Sequence, residues 1–92
     1  MRPSELEGKN VIETGGRILG AVSGIEIDLV SWKVTHLKVQ LSYDAVESLG
    51  YKRPRLGRVE IMISVDVVKA VSDVVTLHKS INDLRRLPFS VP

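Results

Sequence analysis

The amino-acid sequence predicts a mainly β domain, a small closed barrel carrying one or two short helices, and three observations point there. The chain of 92 residues is 43% hydrophobic yet has only one Phe, one Trp and two Tyr, so its core is built from Val, Ile and Leu, which favours strands over an aromatic ligand pocket. Period-two alternation recurs, with Leu37, Val39 and Leu41 alternating with polar neighbours and Val59, Ile61 and Ile63 doing the same. The long apolar run "RILGAVSGIEIDL" changes phase at Ser23-Gly24, where a glycine lets one strand bend and serve two sides of a curved sheet.

Taken in order, "KNVIETGGRILGAVSGIEIDL" predicts strands over Asn10–Glu13 and Arg17–Leu29, joined by a tight turn at Gly15-Gly16. "VSWKVTHLKVQL" then turns, with Trp32 at the hairpin tip, and returns as a strand with Leu37, Val39 and Leu41 inward. In "SYDAVESLGYKRPRLG", Asp44 is placed to cap a short helix whose apolar stripe is Ala45, Val46 and Leu49, and Gly50 to end it. "RVEIMIS" follows as a half-buried strand. Val65–Val71 reads as a connecting turn whose Val68 and Val71 plug a barrel end, and Asp73–Lys79 reads as the last strand. Ser80, three residues before Asp83, begins a short helix. Residues 1–87 thus form one domain and 88–92, "PFSVP" with Leu87 before it, an irregular tail. The expected core is Val22, Ile27, Val39, Ile61, Val75 and Leu77.

Composition excludes several functions. The absence of cysteine removes disulfides, thiolate metal sites and cysteine nucleophiles and fits a reducing cytoplasm. No apolar run approaches the roughly 18 residues of a membrane helix, so no direct membrane insertion is expected. The net charge of +2 is too mild to imply nucleic acid. His36 and His78 fall on separate strands with no further ligands at metal spacing. Asp28 and Asp73 adjoin turns, where Asp commonly bonds backbone amides. The glycines Gly15, Gly16, Gly20 and Gly24 precede no helix, which argues against a phosphate loop. The expectation is a protein without catalysis, metal or cofactor.

Two surface features remain. Lys52, Arg53, Arg55 and Arg58 crowd a proline-containing loop, suited to an acidic protein, to plain solvation or, less well without stacking aromatics, to nucleic acid. Met62 and Val74 take the outward parity of their strands and Trp32 a hairpin tip, so three apolar groups are candidates for an interface, with a two-fold homodimer as the expected assembly. The alternative is that Trp32 folds back over its own hairpin and that the helix after Asp44 covers Met62.

The opening "SELEGKNVIETGGRILGAVSGIEID" and the closing "ISVDVVKAVSDVVTL" resemble the PRC-barrel family, whose start reads L-x-G-K-x-V with spaced glycines and I-x-I-D, and whose end is valine-rich with V-G-D-x-V-x-L. Ser72 stands where the family's glycine is usual, and Trp32 where a polar turn is more common. The resemblance implies a six-stranded antiparallel barrel with Greek-key-like wiring, used for assembly. Its small stand-alone archaeal members imply a cytoplasmic adaptor of the FtsZ-based division machinery, recruited to the division site, which binds the SepF-type ring anchor or a second barrel protein. The family's ribosome maturation factor implies the alternative, a module that binds RNA or a ribosomal protein.

Overall fold

A computed structural model describes residues 3–50 and 59–85. Its elements are α1 (Pro3–Leu6), β1 (Asn10–Ile12), β2 (Ile18–Asp28), β3 (Lys33–Leu41), α2 (Tyr43–Ser48), β4 (Glu60–Ser64), a 3-10 turn (Val65–Val67), β5 (Val68–Val71), β6 (Val75–Leu77) and α3 (Ile81–Arg85). They form one six-stranded sheet in the order β4-β3-β2-β1-β6-β5.

That order corrects the expected closed antiparallel barrel in two respects. The sheet is mixed, because β6 enters beside β1 in parallel, with Val11 opposite Val75 and Ile12 opposite Thr76. It is also open, since β4 and β5 stand at its two edges and, among the described residues, no ladder joins them. The cause lies in Val65–Val67. A hairpin turn there would have laid β5 along β4, but the segment is instead a helical turn, held at its start by the Ser64 hydroxyl, which accepts from the Asp66 amide at 3.3 Å. At its end the His78 amide donates to the Val67 carbonyl at 2.8 Å, so the chain turns a corner and β5 pairs with β6. Val68 and Val71, expected as plugs in a connecting turn, are therefore strand residues that pack half-buried against the core. The last strand contracts from the expected Asp73–Lys79 to Val75–Leu77.

The core gathers one face of this sheet with the helices. Val22, Val39, Ile61, Val75 and Leu77 are buried as expected, together with Val11, Leu19, Leu37, Leu41, Ile63, Val46 and Leu84. Ile27 is not a core residue and is 41% exposed. The β2–β3 register shifts at Val22/Gly24, where the bend was expected, and again at Glu26/Ile27. The second shift resets the alternation and carries the end of β2 beyond the core.

Capping follows local chemistry. The Ser42 hydroxyl, rather than Asp44, accepts from the Ala45 amide at 3.2 Å and starts α2, while Gly50 takes the expected left-handed conformation after it, with φ +86°. Ser80 and Asp83 cap each other reciprocally at α3. Gly20 lies at a close approach of β2 to the backbone of β3. A Cβ there would collide with the Gln40 carbonyl oxygen and come within 3.0 Å of the Leu41 Cα, both of them backbone. Gly20→Ala is expected to force the two strands apart and destabilise by about 1–3 kcal/mol or more, read as a lowered midpoint in urea denaturation.

Candidate functional site

The β2–β3 hairpin ends in the four-residue loop Leu29-Val30-Ser31-Trp32, with Asp28 opposite Lys33 at its base. The Asp28 carboxylate accepts from the Val30 amide at 2.8 Å, and its carbonyl accepts from the Trp32 amide at 2.7 Å. Bonding from Val30, opposed by slight desolvation and reinforced by the Ser31 amide and hydroxyl, holds the Asp28 carboxyl below its usual range. The loop is thus fixed in shape when Asp28 is ionised.

A loop wound this way ends in the left-handed region, and Trp32 occupies that place with φ +57°. Glycine or asparagine would sit there with less strain. The ring gains little cover in return, for Trp32 is 77% exposed, Leu29 71% and Val30 93%. Trp32 therefore does not fold back over its hairpin. Four large apolar side chains, counting Ile27, project at one end of the molecule. The sequence had placed Ile27 in the core and so missed its part in this cluster.

Met62 and Val74 do not join it. Met62 is half-buried on edge strand β4, opposite Lys38, and Val74 is half-buried in the turn between β5 and β6. In sheet order β3, β2 and β1 lie between β4 and β6, so the expected three-residue patch is divided, with Trp32 alone at the tip. The basic loop Lys52, Arg53, Arg55 and Arg58 and the tail from Pro88 lie outside the described residues.

The titratable residues are dispersed. His36 is half-buried, with Nδ1 2.9 Å from the Thr35 hydroxyl, and His78 is exposed just beyond β6. Asp73 is exposed in the β5–β6 turn. Among the described residues no group of three or more His, Asp or Glu could hold a metal ion, and no helix is long and apolar enough to cross a membrane.

One carboxylate was not singled out from sequence. Glu13, 3% exposed, is the buried charged side chain among the described residues. Its Oε1 accepts from the Arg17 amide at 2.9 Å and its Oε2 from the Ile81 amide at 3.1 Å, with the Arg17 guanidinium 3.9 Å away. Desolvation pushes its pKa up, but the amides of Arg17, Gly15 and Ile81 and the Arg17 charge together outweigh it, so the carboxyl titrates below its usual value. Gly15 leaves the room, since a Cβ there would come within 2.6 Å of Oε1. Glu13 thereby ties the β1–β2 turn to the start of α3, a structural task rather than a chemical one.

No family model matches the chain, and no curated protein matches it. The PRC-barrel resemblance accordingly rests on the motifs quoted above.

Proposed function

We propose that the protein is a non-enzymatic interaction module that docks other proteins through the Leu29-Val30-Trp32 tip. The observation that carries this reading is Trp32, which is strained in backbone and exposed in side chain at once. Folding gains little from a tryptophan there, and such a combination is accounted for by a partner that covers the ring. Tryptophan is also the residue most enriched among side chains that dominate binding energy. The PRC-barrel resemblance supplies the partner to try first, a SepF-type division-ring anchor or a second protein of that family, met in the cytoplasm at the division site.

Trp32→Asn separates function from stability. Asparagine tolerates the left-handed conformation, so the variant is expected to melt at or above the wild-type temperature, gaining up to about 1 kcal/mol from relieved strain. In a pull-down from native lysate it is expected to lose the proteins that the wild-type chain retains. Equal retention by both proteins would overturn the assignment of the tip.

A further inference from the structure

From the two poles of strand β2 we infer that copies of this chain associate head to tail, the Leu29-Val30-Trp32 tip of one entering a groove beside Ile18 of the next. The inference rests on the reading of the tip as a docking element and names one occupant for it. The groove, about 390 Å³, lies where the start of β2 meets α2 and α3, and Arg17, Ile18, Asp44, Ala45 and Ile81 line it. Its volume falls within the range of clefts that take up bulky apolar groups, roughly 300–1,000 Å³. Ile18, 51% exposed, gives it an uncovered apolar wall.

Charge makes the two surfaces complementary. The base of the tip carries one acid and one base, Asp28 and Lys33, facing each other across the ladder. The groove likewise carries one base and one acid, Arg17 and Asp44. A tip seated in the groove can set Asp28 toward Arg17 and Lys33 toward Asp44, whereas two tips meeting each other offer no apolar recess for either Trp32. Such matching selects a partner and its orientation more than it adds affinity.

Geometry then decides the form of the assembly. Tip and groove stand at opposite ends of β2, which runs from Ile18 to Asp28, a span of about 30 Å at the rise of a strand. They cannot meet within one molecule. Joined head to tail, two copies use different surfaces and leave a free tip and a free groove at the ends, so further copies add into an open chain, or into a ring where the rotation closes, whereas a reciprocal pair with each tip in the other's groove would stop at a dimer.

The test uses two blocked variants of the full chain, Trp32→Asn at the tip and Ile18→Lys in the groove, each checked for folding by circular dichroism and followed by sedimentation velocity. Wild type is expected to form species that lengthen with concentration. Each variant alone is expected to remain monomeric, with association weakened about 30-fold or more, as loss of a central anchor entails. Mixed in equal amounts, they are expected to form a heterodimer and nothing larger, because one intact tip meets one intact groove. Should Ile18→Lys fail to fold, Asp44→Lys blocks the same groove from an exposed helix position. A wild type that assembles while the mixture stays monomeric would overturn the head-to-tail arrangement. So would a wild type that is monomeric throughout the micromolar range, and if Trp32→Asn still loses its lysate partner in that case, the docking role of the tip survives without self-association.

Discussion

Ile61→Ala is expected to lower the unfolding free energy by about 2–5 kcal/mol, the cost of truncating a fully enclosed aliphatic side chain. Ile61 has no exposed surface, stands opposite Val39 in the β3–β4 ladder and belongs to the single core cluster. Because β4 is an edge strand, its one ladder among the described residues is to β3, and packing beneath Ile61 and Ile63 supplies much of what holds it. A domain of this size has a total stability of only about 5–15 kcal/mol, so the variant should show a large drop in urea midpoint. An unchanged midpoint would mean that the core face of β4 has been assigned to the wrong parity.

A comparable loss, about 2–4 kcal/mol at neutral pH, is expected for Glu13→Gln. An amide can accept through one oxygen only, and its NH2 group would face an amide hydrogen that the carboxylate now receives. The pH dependence fixes the cause. The folded pKa of Glu13 lies below its unfolded value, near 4.5, so its stabilisation is fully present above that value and is lost as pH falls through the folded pKa. The gap in melting temperature between wild type and Glu13→Gln should therefore be widest near neutrality and narrow as the pH drops below about 4.5. A gap constant from pH 7 to pH 3 would show that the ionised carboxylate is not what joins the β1–β2 turn to α3.

These two residues also mark what the sequence could and could not reveal. Ile61 was legible because alternation with Glu60 and Met62 is a local pattern with a fixed period. The Gly15-Gly16 turn, the bend at Ser23-Gly24 and the Ser80–Asp83 cap were legible for the same reason, each being set by neighbours a few residues apart. Glu13 was not, since its partner Ile81 is distant in sequence and a lone Glu closing the predicted strand Asn10–Glu13 reads as an ordinary strand end. The open sheet was hidden likewise. Whether β5 pairs with β4 or β6 depends on the corner at Val65–Val67, which composition alone renders as one more valine-rich stretch. At the candidate site, Trp32 could be placed at a hairpin tip from sequence, but Ile27 could not be placed outside the core. The second register shift, at Glu26/Ile27, leaves no glycine or proline to signal it. Met62 and Val74 were grouped with Trp32 by parity, a property of each strand that says nothing about which strands are neighbours.

Trp32 is the one tryptophan in the chain, so intrinsic fluorescence reports on the tip without any label. Followed in dilute solution and then with rising concentration of the protein or of a captured partner, the indole should begin with the emission and ready iodide quenching of a water-exposed ring. As complexes form, its emission should move to shorter wavelength and the quenching should fall in step with the fraction bound. An indole that remains as quenchable in the complex as in the free protein would contradict the claim that binding covers the tip.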